Sequence, residues 1–209
     1  MTVSVAAVLS SAGLFASVTA SAQAAITLGQ AGPYVHCDPG FGQVQDAGGS
    51  APGYTVPSDG VITSFSAASD TVSAQVKLLI LQPVSGTTYN VVAKSDAGTF
   101  TATGVQTFPT QIPVRAGQVI GDWGRICGAS SSNAADHFHY FGGGDPALAA
   151  PQGFPSASGP GVRTNLSANL EPSATAPTGE RAAALKKCKK KHSAKARKKC
   201  KRKAKRLPV

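Results

Sequence analysis

The last 29 residues of this 209-residue chain, Arg181 to Val209, hold no aspartate and no glutamate. They hold 15 of the 20 lysines and arginines, so the other 180 residues carry 5 basic and 10 acidic groups, a net charge near −5. The overall +10 therefore describes neither part. Such asymmetry excludes a uniformly basic fold and points to an interaction tail on a mildly acidic body. Partners of matching chemistry are polyanions: cell-envelope polymers, anionic lipid headgroups or nucleic acid. The tail also lacks Phe, Tyr and Trp, so it has nothing to stack on bases, and its apolar residues are mostly Ala and Cys, poor for lipid insertion. Nucleic acid therefore ranks below envelope polymers and headgroups.

Long apolar runs are missing after the first two dozen residues, so no bilayer span is expected beyond them. Residues 1–24 read as a secretory signal. VSVAAVLSSAGLFASV is an uncharged apolar stretch, and Ala22-Gln23-Ala24 is a small-x-small cleavage site, which starts the mature chain near Ala25. No Lys or Arg precedes the stretch, which is unusual for such a signal. The alternative is a retained anchor; shortness and the Ser and Ala content favour cleavage. An exported chain meets an oxidising compartment, and its four cysteines suit disulfides. Cys37 with Cys127 in the body, and Cys188 with Cys200 in the tail, are the favoured pairings of three.

Good helix runs are scarce from Pro33 to Pro172, and alternation with period two recurs. VITSFS puts Val61, Thr63 and Phe65 on one face. VSAQVKLLILQP puts Val72, Ala74, Val76, Leu78 and Ile80 on one face, with Lys77 opposite. YNVVAK and TFTAT are shorter candidates. VRTNLSANL places Val162, Thr164, Leu166, Ala168 and Leu170 inward and Arg163, Asn165, Ser167 and Asn169 outward. Turn signals separate these runs: PSDG at 57–60, PVSGTT at 83–88, SDAG at 95–98 and RAGQ at 115–118. Many short strands with no helix between them predict an antiparallel β-sandwich, a jelly roll before other arrangements. Residues 142–160 read as a long loop and 171–179, EPSATAPTG, as a linker. The expected organisation is a signal over 1–24, a β-sandwich over 25–171, a linker over 172–180 and a basic helical tail over 181–209.

The stretches VPSDGVITSFS, VKLLILQP, TYNVVAKS and TFPTQIPVRAGQVIG resemble a group of uncharacterised exported jelly-roll proteins of high-GC actinobacteria. So does the Lys-rich ending with its two KKC motifs and AKRLPV. The resemblance covers most of residues 50–209. It implies the sandwich fold and export, and it brings no catalytic residues.

Chemistry in the body is thin. HFHY at 137–140 puts His137 and His139 on one side of a strand, where two imidazoles can hold a metal. Cupin-type sandwiches add a downstream Glu and a further His; here FGGGD follows, and a third ligand would have to be Asp136, Asp145 or His36. No Gly-x-Ser-x-Gly elbow is present, and most acids sit in turns. No catalytic residue, metal or other cofactor is expected. Asp122 beside Trp123 is the one acid–aromatic pair to follow. Trp123 and Tyr140, with Tyr34 and Tyr54, are candidates for a platform that stacks on sugar rings.

The tail carries the polyanion-binding candidates: Lys186, Lys187, Lys189, Lys190, Lys191, Lys195, Arg197, Lys198, Lys199, Lys201, Arg202, Lys203, Lys205 and Arg206. In one continuous helix Cys188 and Cys200, 12 residues apart, would be about 18 Å from each other, too far for a disulfide. A helical hairpin turning at HSAK, 192–195, brings them together, with Ser193 capping the second helix and Thr178 or Gly179 the first. Ala184, Leu185 and Cys188 would face Ala196, Cys200, Ala204 and Leu207. The expected function is an exported, non-catalytic binding or structural protein held by its tail at the anionic envelope. The alternative is a carbohydrate-recognition module built around Trp123.

Overall fold

The computed structural model describes residues 24–45, 49–173, 179–190 and 193–205. All of the 1–24 signal-sequence reading except its last residue lies outside the described residues, as do most of the linker, Lys191 and Arg206.

Thirteen strands precede two helices in the described residues. The main strands are β1 (Ile26–Gln30), β2 (His36–Gln45), β3 (Gly60–Ser69), β4 (Gln75–Ser85) and β5 (Thr88–Lys94). After the two-residue β6 (Gly98–Thr99) come β7 (Gly104–Val114), β8 (Val119–Ser130) and β9 (Phe138–Gly142). Three short pieces follow, β10 (Pro151–Gly153), β11 (Ser156–Ala157) and β12 (Val162–Thr164), and then β13 (Leu166–Pro172). One sheet runs β1-β13-β3-β7; the other runs β10-β5-β4-β8-β2-β9-β11, with β12 on β8 and β6 on β4. All named strand pairs are antiparallel.

Among the long strands, β1-β13-β3-β7 in one sheet stand against β5-β4-β8-β2 in the other. Taken through these eight strands, the chain changes sheet at every step except the β4–β5 hairpin. That interleaving is a jelly roll, as expected. The hairpin turns at Gly86, whose φ of +51° is a conformation open to glycine at little cost.

The core draws on both sheets: Ile62, Phe65, Leu166 and Leu170 from one, Val76, Leu78, Ile80 and Ile120 from the other. Leu79 and Leu81 point to the opposite side of β4 and are equally buried, so this strand is covered on both faces. Phe141 and Phe154 join the same core, their rings edge to face at 5.0 Å. On the β2 side Gly42 makes room for Phe141, because a Cβ there would lie 2.2 Å from its ring.

Several expectations need correction. Val72 is exposed and Ser73 has φ +66°, so β4 begins only at Gln75. TFTAT gives a single strand residue, Thr99 at the end of β6, and then bends from Thr101 to Thr103. QIPVRAGQVIG is, as read, two strands joined by a turn at Gly117, and the two strands belong to different sheets. VRTNLSANL is likewise cut at Asn165: β12 pairs with β8, while β13 pairs with β1 and β3. Arg163 and Asn165 are consequently buried, not outward. The 142–160 loop is pinned, with Asp145 held by Lys77 at 2.7 Å and Lys94 at 2.8 Å. At the free edge of the four-stranded sheet lies β7, eleven residues long, carrying Pro109 and Pro113.

Candidate functional sites in the tail and the sandwich

Two helices form the tail, α1 (Gly179–Lys189) and α2 (Ala194–Ala204). The Ser193 hydroxyl accepts the Ala196 N–H at 3.1 Å and caps α2, as its place before the helix predicted. Cys188 and Cys200 are bonded, with their Cα atoms 5.4 Å apart, so the chain does turn back as a hairpin. Cys188 and Ala204 are buried and Leu185 half-buried. Ala196 is exposed and lies off this stripe, while Leu207 is outside the described residues.

Lys186, Lys187, Lys189, Lys190, Lys195, Arg197, Lys198, Lys199, Lys201, Arg202, Lys203 and Lys205 are all exposed. Basic residues occupy the last turn of each helix, where they complement the negative end of the helix dipole. Their mutual repulsion at i,i+3 and i,i+4 opposes helix formation. The 12-residue loop closed by the disulfide offsets it by about 3 kcal/mol in the chain-entropy description. The product is a compact block of ammonium and guanidinium groups suited to point-charge contact with phosphates or carboxylates.

In the sandwich, Cys37 and Cys127 are directly opposite in the β2–β8 register and are bonded. Both expected pairings are thus present. The His pair stands as read: His137 and His139 have ring centroids 5.4 Å apart. The three groups considered as a third ligand are engaged elsewhere. His36 pairs with Asp38 at 3.0 Å, Asp145 with its two lysines, and Asp136 with the Ser50 N–H and the Ser131 hydroxyl. Among the described residues no group of three or more His, Cys, Asp or Glu is arranged to hold a metal.

The four aromatic candidates do not form one platform. Gly42 lies between Trp123 and Phe141 across the sheet, whereas Gln43 lies between Asp122 and Tyr140. Trp123 and Tyr140 therefore face opposite sides of it. Trp123 is half-buried, its N–H donates to the Gly143 carbonyl at 3.2 Å, and Lys77 stands 5.9 Å over its ring. Tyr54 is buried and donates to the Thr164 carbonyl; Tyr34 is exposed.

Asp122 is 1 % exposed, and burial pushes its carboxyl well above the ordinary range, against the opposing hydrogen bond from Gln43. Composition gave no signal for the cluster around Arg163, which is 3 % exposed. Its guanidinium donates to the carbonyls of Ala51 and Pro52, lies over the Tyr54 ring at 5.2 Å, and sits 3.9 Å from Asp136. Burial works to raise Asp136, but hydrogen bonds from Ser131 and Ser50, with the Arg163 charge, hold it below the usual range. Burial pushes Tyr54 up to about 12, against the Arg163 charge. Charge here is paired and fastens loops to the sandwich.

Fold and sites together define a disulfide-bonded jelly roll carrying a stapled cationic hairpin. No family model, no curated protein and no solved structure matches the chain. Its two disulfides suit an oxidising environment, and no described helix is long and apolar enough to cross a membrane.

Proposed function

We propose that this is an exported, non-catalytic binding or structural protein, retained at an anionic cell envelope by its C-terminal hairpin. The sandwich faces outward. The observation that carries this reading is the hairpin itself. A sequence that repels itself is stapled by Cys188–Cys200 into a shape whose basic residues, among those described, are exposed, while Cys188 and Ala204 are buried and Leu185 half-buried. Contact with a polyanion relieves the repulsion, so binding and folding of the tail support each other. The acidic body, near −5, is repelled by the same surface, which favours attachment through the tail alone.

Co-sedimentation with isolated envelopes tests the reading, using the full mature chain and a chain ending at Gly179. The full chain is expected to sediment at low salt and to elute at high salt, and the shortened one to stay in solution. Sedimentation of the shortened chain regardless of salt would sink the tail as the anchor. It would move attention to the alternative, carbohydrate recognition by the sandwich, for which Trp123→Ala and glycan binding are the check.

A further inference from the structure

We propose that Cys200 Sγ is a site of thiol exchange: a small thiol carrying its own negative charge attacks it and opens the Cys188–Cys200 bond, while the Cys37–Cys127 bond stays closed. Access selects the sulfur. Cys188 is 1 % exposed, whereas Cys200 is half-buried and so within reach of solvent. A thiolate must approach a disulfide sulfur directly, so the open side of Cys200 receives it and Cys188 leaves. Charge selects the reagent. Lys199 and Lys201 flank Cys200, and Lys187 and Lys189 flank Cys188; all four are exposed, and no acid occurs from residue 181 to 209. Arg197 and Lys203 follow on the neighbouring turns of α2. A cationic block of this kind concentrates anionic reagents around it and repels cationic ones.

The exchange balances in two steps. In the first, the reagent thiolate bonds to Cys200 Sγ, the Cys188–Cys200 bond breaks, and its electron pair leaves with Cys188 as a thiolate. In the second, another reagent thiolate attacks the reagent sulfur of the mixed disulfide. Cys200 leaves as a thiolate, and the two reagent molecules depart joined to each other. The protein is reduced and the reagent thiol is oxidised. The lysines stabilise both leaving thiolates. Burial of Cys188 opposes its departure while the hairpin is closed, and like-charge repulsion favours it. Once the bond breaks, that repulsion carries the helices apart, and the cysteines lose the proximity that reclosure needs. The bond in the body differs on each count. Cys127 is 2 % exposed, and no Lys or Arg precedes Lys77, so the strand of Cys37 brings Asp38 and no cation. Arg125 on β8 is taken by Asp70 at 2.6 Å. Were this bond opened, Cys37 and Cys127 would still stand opposite each other in the β2–β8 ladder, placed to close again.

The test is reduction of the full-length protein, with both disulfides formed, by mercaptoethanesulfonate and by cysteamine, which carry opposite charge. Each rate is divided by that thiol's rate with neutral hydroxyethyl disulfide, which removes the difference in intrinsic reactivity. At low salt the anionic thiol is expected to open the tail bond at least about tenfold faster than the cationic one. At about 1 M salt the two are expected to come within about threefold. Lys199→Glu with Lys201→Glu, at two exposed positions, is expected to bring them within about threefold already at low salt. Acid quenching and mass mapping are expected to find the first reagent adduct on Cys200, with Cys37–Cys127 intact on the same timescale. A smaller charge preference at low salt overturns the proposal, as does one indifferent to salt. So does a first adduct on Cys188, or opening of the bond in the body before that in the tail. The experiment reads charge and access at one sulfur, not attachment to a surface, so it and the envelope experiment fail independently.

Discussion

Asp122 is the residue whose ionisation opposes the fold. Its carboxyl is raised by burial above the value near 3.9 that it has in the unfolded chain, so the native state holds the proton more tightly. That contribution is complete below about pH 4 and is lost as pH rises through the folded value. Asp70, Asp136 and Asp145 have lowered values and run the other way. Their contribution is present above about pH 4 and lost as pH falls through their folded values. Asp122→Asn keeps an acceptor for Gln43 and removes the buried charge. It is expected to be more stable than the parent near neutral pH by roughly 1–3 kcal/mol, with the difference shrinking toward pH 4. Denaturant unfolding at a series of pH values checks this, and a constant difference across the series would contradict it. Sequence drew attention to Asp122 and Trp123 as neighbours. Alternation sends these strand neighbours to opposite sides of the sheet, but it could not say that one would lie beside Gln43 and the other against the pinned loop. Nor did it find Gln43 or Arg163, whose roles depend on partners about 80 to 130 residues away.

On the scale of elements, the tail was the most legible part, because its constraint is arithmetic. Two cysteines 12 apart cannot meet along one helix, and the serine between them is a capping residue. If the disulfide holds the hairpin against its own charge, Cys188→Ser in an otherwise intact chain should unfold the tail and spare the sandwich. Expected are loss of the helical circular-dichroism signal and a roughly hundredfold faster tryptic cleavage after the tail lysines, the equivalent of about 3 kcal/mol. The denaturation midpoint of the sandwich should not move. The strands were legible where alternation ran unbroken in one sheet, as in LSANL. VITSFS keeps to one sheet, but a register shift between Ile62 and Ser64 puts Ile62 in the core with Phe65. It leaves Val61 and Thr63, read as facing with Phe65, half-buried. Strands were misread, too, where the chain changed sheet inside a run, as at Asn165. Alternation persists across such a switch, while inside and outside are redefined by the new neighbour.

For the whole molecule, the jelly roll followed from counting alternating runs and turns, since many short strands without helices leave few architectures. Which strands share a sheet did not follow, because RAGQ reads the same whether it closes a hairpin or carries the chain across the sandwich. The Cys37–Cys127 bond ties two strands that are neighbours in space and 90 residues apart in sequence. It closes most of the sandwich into one loop, worth about 4.5 kcal/mol in the chain-entropy description.

The edge strand β7 matters in a further way for a protein gathered on a surface. Adsorption turns a dilute solution into a crowded layer in which identical edges meet often, and an eleven-residue edge invites zippering from molecule to molecule. Pro109 and Pro113 leave two gaps in the row of N–H donors such growth needs. Replacing both with valine is expected to leave the monomer folded and to produce sheet-rich oligomers, visible by light scattering as protein concentration rises. Scattering as flat as the parent's would mean that some other feature keeps the layer fluid. If the hairpin gathers the protein on a polyanionic surface as proposed, the two prolines would let a dense layer come apart into single molecules when salt is added.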